Sequence, residues 1–130
     1  MPITYEIDRD SGLLSAKGVG TVTEADFAGF VDALLADPGF ACASASLVDL
    51  SQATLAVPPD QIVALGRLHR ELLARSGRVR VAVVVSGDLN YGLARMYAQC
   101  RSLSGSEVVP FRDEAEARAW LRGERQGGGT

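Results

Sequence analysis

The amino-acid sequence predicts an α/β domain. An N-terminal antiparallel β-hairpin leads into a mixed, mostly parallel sheet with covering helices, in the order β-β-α-β-α-β-α-β-α. Three observations predict it. The chain opens on alternation of apolar and polar residues broken by a turn signal, which is the pattern of a hairpin. After residue 23, short apolar runs alternate with helix-length amphipathic segments, as crossover connections between parallel strands require. Val79 to Val85 is almost wholly apolar and β-branched between Gly77 and Gly87, the pattern of a central strand covered on both faces.

The elements follow in order. Ile3, Tyr5 and Ile7 alternate with Thr4, Glu6 and Asp8, giving the first strand. Asp10-Ser11-Gly12 is the turn, and Leu13 to Val22 the second strand, with Gly18 and Gly20 weakening it or marking a bulge. Thr23 caps the first helix, with Asp26 completing a capping box. Phe27, Phe30, Val31, Leu34 and Leu35 form its apolar face, and Asp37-Pro38-Gly39 stops it. Ser46 to Leu50 reads as a short buried strand. Val57-Pro58-Pro59-Asp60 opens a helix whose stripe is Ile62, Leu65, Leu68 and Leu72, ending at Ser76-Gly77. After Val79 to Val85, Asp88 or Asn90 caps a helix carrying Leu93, Met96, Tyr97, Cys100 and Leu103. Glu107 to Phe111 is the last strand. Asp113 caps the last helix, with Ala117, Trp120 and Leu121 facing in. The domain is expected over residues 1–122. Residues 123–130, with four glycines and no large apolar side chain, are expected to be a disordered tail.

This order and two stretches of residues resemble the STAS domain superfamily, in its SpoIIAA-like (STAS/SEC14-like) branch. The first stretch is Leu47-Val48-Asp49-Leu50-Ser51, similar to the strand before the switch helix of anti-sigma-factor antagonists. The second is Tyr91-Gly92-Leu93-Ala94-Arg95-Met96-Tyr97, followed by Val109-Pro110-Phe111-Arg112-Asp113 and Ala119-Trp120-Leu121. The resemblance spans about Ile3 to Leu121 and implies a small cytosolic binding module with a protein partner or a lipid- or nucleotide-sized ligand. In the antagonists, the loop after that strand carries a serine that a partner kinase phosphorylates, and a phosphate there changes binding by its charge. Here the corresponding stretch is Ala56-Val57-Pro58-Pro59-Asp60. Ser51 comes too early, directly after the expected strand, so the serine switch is expected to be absent.

Composition narrows the function classes. The 130 residues carry a formal charge of −3, with 16 acidic and 13 basic side chains, which argues against nucleic-acid binding. Two cysteines, Cys42 and Cys100, make no disulfide framework. Met1 to Asp10 has neither the basic start nor the apolar run of a signal peptide, and no stretch is long enough for a membrane span, so a bacterial-style cytoplasmic protein is expected.

Ligands of open α/β sheets bind beyond the carboxyl ends of the strands. That rule selects Asp49 to Gln52 and Ser86 to Asn90; with the helix starts that follow them, Asp49, Ser51, Asp60, Asp88, Asn90, Tyr91 and Arg95 are the candidate ligand- or partner-binding residues. Asp49 and Asp88 are a candidate carboxylate pair for acid–base work or Mg²⁺. His69, the one histidine, reads as structural or as a surface residue, since it has no nameable nucleophile or zinc co-ligands. Arg67, Arg70, Arg75, Arg95 and Arg101 read as solvated helix faces, Tyr91 and Tyr97 as core edge, and Trp120 as a core plug. No catalytic residue, metal or cofactor is expected. The leading expectation is a non-enzymatic module for a protein partner, a second copy of the chain (a homodimer) included. A small-molecule binding domain with a pocket between Ala53 to Asp60, Asp88 to Arg95 and the sheet is the alternative, ahead of an enzyme using Asp49, Asp88, Ser51 and His69.

Overall fold

A computed structural model describes residues 2–72, 79–101 and 106–123. It contains β1 (Ile3–Asp8), β2 (Leu13–Thr23), α1 (Glu24–Ala36), a 3-10 turn (Pro38–Cys42), β3 (Ala45–Ala56), α2 (Pro59–Leu72), β4 (Val79–Val85), α3 (Asp88–Arg101), β5 (Ser106–Phe111) and α4 (Glu114–Leu121). The element order is the one the sequence predicts, with the 3-10 turn added where Pro38 follows α1. The strands lie in the order β1-β2-β3-β4-β5, with β1 and β2 antiparallel and every later pair parallel. Sequential parallel strands joined by crossovers of one hand place every connecting helix on the same face. Accordingly α1, α2 and α3 contribute Leu34, Ile62, Leu65, Leu93, Ala94 and Ala98 to one core with Leu50, Val83, Val85 and Val108. Among the described helices, the other face receives only α4, whose Ala117 and Trp120 pack on Leu47, Ala82, Val84 and Phe111. One helix suffices there because β1 and β2 present Thr4, Glu6, Ser15 and Lys17 beside it, polar residues that need no cover.

Local signals explain the boundaries. Thr23 and Asp26 form the expected reciprocal capping box, with the Asp26 carboxylate accepting from the Thr23 N–H at 2.8 Å. Asp113 caps α4 by accepting from the Ala115 N–H at 2.8 Å. Asp37 accepts from the Gly39 N–H and from the Tyr5 hydroxyl at 2.7 Å, tying the end of α1 to β1.

Four expectations need correction. First, β3 does not stop at Leu50 but runs to Ala56, because the long β2 offers Val19 to Thr23 as ladder partners for Gln52 to Ala56. Ser51 therefore lies within the strand, and Asp49 to Gln52 is not a strand end. The register steps from Lys17↔Asp49 to Val19↔Gln52, so β3 carries one extra residue, a β-bulge. The bulge keeps Ala53 and Leu55 on the same buried face as Leu50. A Cβ on Gly18, opposite it, would lie 2.6 Å from Leu50 Cδ2, so the buried Leu50 side chain would have to shift.

Second, the buried stripe of α2 is Ile62, Leu65, Gly66 and His69, while Leu68 and Leu72 are exposed. Leu35 of α1 is exposed likewise. The rotation of α2 follows from Gly66: a Cβ there would lie 2.7 Å from Cys100 Cβ and 3.1 Å from the Tyr97 carbonyl oxygen, so α2 and α3 meet backbone to backbone at this residue. Third, Arg101 is not on a solvated face but is buried. Fourth, neither Asp88 nor Asn90 precedes α3; Asp88 is its first residue, and the Tyr91 N–H donates to the Gly87 carbonyl at 3.0 Å. Leu103, Arg75, the Ser76-Gly77 stop and the tail beyond Gly123 lie outside the described residues.

Candidate functional site

The residues selected by the strand-end rule fall into separate places. Asp49 accepts from the Ser51 N–H at 3.0 Å and from its hydroxyl at 2.6 Å, a local turn that holds the bulge. Asp88 pairs with Arg112 at 2.7 Å, and the Arg112 guanidinium stacks 4.2 Å from the Tyr91 ring centroid. The Asp88 side chain is 94% exposed, so this pair is worth little. Asn90 donates to the Ala53 carbonyl at 3.2 Å, joining the start of α3 to the extended part of β3. Asp60 and Arg95 stand exposed on α2 and α3. Asp49 and Asp88 thus engage different partners and form no carboxylate pair. No cluster of three metal-ligating side chains occurs among the described residues, and no described helix is long and apolar enough to cross a membrane.

An apolar concavity lies elsewhere. Between α1, α2, α3 and the sheet is a cavity of about 100 Å³. Its walls are almost wholly apolar, with Phe27 and Phe30 from α1, Leu65 from α2, Leu93 from α3, and Val48 and Val81 from the sheet among them. Its polar groups gather where β3, β4 and β5 begin, near Ser46, Val79 and Val108, because the last turns of α2 and α3 return to that end. Those turns supply His69, Tyr97 and Arg101.

The three side chains form a chain of contacts. His69 Nδ1 lies 2.8 Å from the Tyr97 hydroxyl oxygen, with the two rings edge to face. Arg101 donates to the same hydroxyl. Burial pushes the Tyr97 hydroxyl up to about 12, with the Arg101 charge and hydrogen bond opposing. Burial, aided by repulsion from Arg101, pushes His69 down to about 4. Both are therefore neutral at pH 7, and Arg101 alone carries charge. His69 and Arg101 are 2% and 5% exposed. Among the described residues, His69 Nε2 and Arg101 Nη1 have no hydrogen-bond partner, and Arg101 has no ion pair.

The strand-end rule missed this cluster. The sequence did carry a signal for it: Ile62, Leu65, Gly66 and His69 follow helical spacing as well as the stripe with Leu68 and Leu72 does, and Tyr97 and Arg101 are i,i+4 neighbours.

No family model matches the chain, and no curated protein matches it. Among the solved structures that are similar to it are two with a SpoIIAA-like fold. One is an uncharacterized protein from the DUF3478 family with a SpoIIAA-like fold from Shewanella loihica PV-4. It is 24% identical, with a TM-score of 0.59 over 92% of this chain and 93% of that one. The other is the anti-sigma factor antagonist SpoIIAA in its unphosphorylated form, 14% identical, with a TM-score of 0.56 over 93% of this chain and 98% of that one. The nine described strands and α-helices, their order and the mixed sheet accordingly give this chain a SpoIIAA-like fold.

Proposed function

We propose that this chain is a non-catalytic binding module of SpoIIAA-like fold that takes a small, mainly apolar molecule between its sheet and helices α1 to α3. One observation carries the reading: an apolar cavity ends in buried polar groups, two atoms of which have no partner in the described protein. Ligand pockets have this composition, apolar walls with a few convergent polar groups. Catalysis finds little support, since a histidine held near pKa 4 is a weak base at neutral pH and Asp49 and Asp88 have local structural partners. The test is untargeted mass spectrometry of solvent extracts from the folded protein and from Ala94→Leu, a change on the cavity wall that fills the space. An apolar compound in the wild-type extract, depleted in the variant, is expected; identical extracts would remove the reading.

A protein-partner role is the second reading. The antagonist fold and the exposed Leu68 and Leu72, one turn apart on α2, favour it. A kinase switch is not part of either role, because Ala56-Val57-Pro58-Pro59 joins β3 to α2 without a hydroxyl. Intact mass after incubation with kinase-active lysate is expected to be unchanged; stoichiometric phosphate on Ser51 would restore the switch.

A further inference from the structure

A buried cation without a counter-ion among the described residues is the feature of this core that the described fold does not explain. Arg101 is 5% exposed, has no ion pair among the described residues, and leaves Nη1 without an acceptor. The last turn of α3 gives it partial negative charge from the helix dipole, but no carboxylate. A single buried charge of this kind calls for one opposite charge.

The hydrogen-bond pattern defines what that charge must offer. Tyr97 oxygen accepts from Arg101 and lies 2.8 Å from His69 Nδ1. If Tyr97 O–H donates to Nδ1, the hydroxyl is fully used and neutral His69 keeps its proton on Nε2. The reverse arrangement would leave the hydroxyl proton and the Nε2 lone pair both unused, so the first wastes fewer bonds. The two unpartnered atoms are then both donors, Nε2–H and Nη1–H. One positive charge and two donors match a group with one negative charge and two acceptor oxygens. A carboxylate fits this description, whereas a phosphate dianion would bring more charge than Arg101 offsets.

The rest of the cavity describes the remainder of the molecule. From Val79 to Val83 the wall follows β4 for roughly 13 Å at strand rise, long enough for an extended octyl chain. Phe27, Phe30, Leu65, Leu93 and Val81 line it. The resting volume of about 100 Å³ is smaller than a cavity that admits benzene, about 150 Å³, so the helical layer must part to admit a chain. Gly66 locks α2 to α3, while α1 meets α2 only lightly, and that seam is the place to part.

We propose that Arg101, Tyr97 and His69 bind the carboxylate of a medium-chain fatty acid anion whose alkyl chain occupies the cavity. This rests on the small-ligand reading above and names its ligand class.

The experiment is calorimetric titration of the full chain at pH 7.5 with octanoate, octan-1-ol and octylamine, repeated on Arg101→Met. Octanoate is expected to bind the wild type at least about tenfold more tightly than octanol, the worth of a charge-assisted contact, and octylamine more weakly still. In Arg101→Met the octanoate preference is expected to vanish, with a melting temperature equal to or above the wild type, because a buried charge has been replaced by an apolar side chain. Equal wild-type affinity for octanoate and octanol would overturn the carboxylate inference and leave the apolar-ligand reading standing. Failure of all three probes to bind would overturn both. If Arg101→Met does not fold, the order of the three probes on the wild type decides alone.

Discussion

Replacing His69 by glutamine should flatten the acid limb of the stability curve. His69 is held near pKa 4 in the folded protein against 6.5 in the unfolded chain, chiefly by burial and secondarily by the Arg101 charge. The folded value is the lower one. Between the two values the unfolded chain therefore binds more protons, and stability falls as pH falls. The loss begins as pH drops through about 6.5 and is complete below about 4. Its ceiling is about 3 kcal/mol, roughly 2.5 pKa units at ~1.4 kcal/mol each, and at pH 5 about 2 kcal/mol has gone. That is a large part of the ~5–15 kcal/mol that stabilises a domain of ordinary size. Glutamine is uncharged throughout, so His69→Gln removes the proton uptake whatever it does to stability at pH 7. The assay is urea unfolding followed by far-ultraviolet circular dichroism at several pH values from 7.5 to 4.5. The wild-type midpoint should slide and the variant midpoint should hold. Asp8 and Asp37 act in a lower window. Hydrogen bonds from the backbone and Ser11, and from Tyr5 and Gly39, hold their carboxyls below the usual value. Their stabilisation is present above about pH 4 and lost below it, outside the range compared. Parallel wild-type and variant slopes from pH 6.5 to 4.5 would refute a buried neutral His69.

Three further substitutions probe the frame around the cavity. Gly66→Ala puts a methyl group 2.7 Å from Cys100 Cβ; overpacking of about 1–3 kcal/mol should outweigh the ~1 kcal/mol gained in helix propensity, giving a lower melting temperature. Thr23→Ala removes the cap of α1 and should lower urea-unfolding stability by about 1 kcal/mol, with no change in the pH slope assigned to His69. Asp49→Ala deprives the Ser51 N–H and hydroxyl of their acceptor. It should cost about 1 kcal/mol and speed amide hydrogen exchange locally at the β3 bulge; unchanged exchange there would show that the backbone holds the bulge unaided.

The topology was legible because each of its determinants is local. Alternation in β1, the turn at Gly12, the Thr23–Asp26 box and the apolar run of β4 need no knowledge of neighbours. What escaped depended on partners. The length of β3 is set by the reach of β2; Ala53 and Leu55 alternate with Gln52 and Thr54 as a strand does, but the bulge puts them out of phase with Leu50 and hides the continuity. The rotation of α2 is set by contact between Gly66 and α3, and the alternative stripe through Leu68 and Leu72 is equally apolar on paper. Once that stripe is chosen, His69 moves beside the core instead of into it, and Arg101 loses the neighbour that would reveal its burial. The strand-end rule then pointed to Asp88 and Tyr91 on the outside, where Arg112 satisfies both.

The position and the cost of the polar cluster bear on each other. Doubly wound sheets bind ligands at strand carboxyl ends because their helices change face at a switch point and open a crevice there. Here the strand order is sequential and α1, α2 and α3 share one face, so there is no such crevice along the parallel strands. The apolar space then lies between the helical layer and the sheet, and the last turns of α2 and α3 set its polar groups at the strand amino ends. Folding alone gives no reason to bury a guanidinium at that place: a methionine would fill the same volume without desolvation, and an arginine at a helix end can turn its head outward. Asp49, Asp88 and Asp113 each repay their polarity in a bulge, a pair or a cap. Arg101 bonds Tyr97 and leaves Nη1 without a partner among the described residues, in a side chain that lines the cavity. A residue whose burial opposes stability, whose partners Tyr97 and His69 are neutral and which keeps an unpartnered donor beside an apolar space is what the proposed anion would account for.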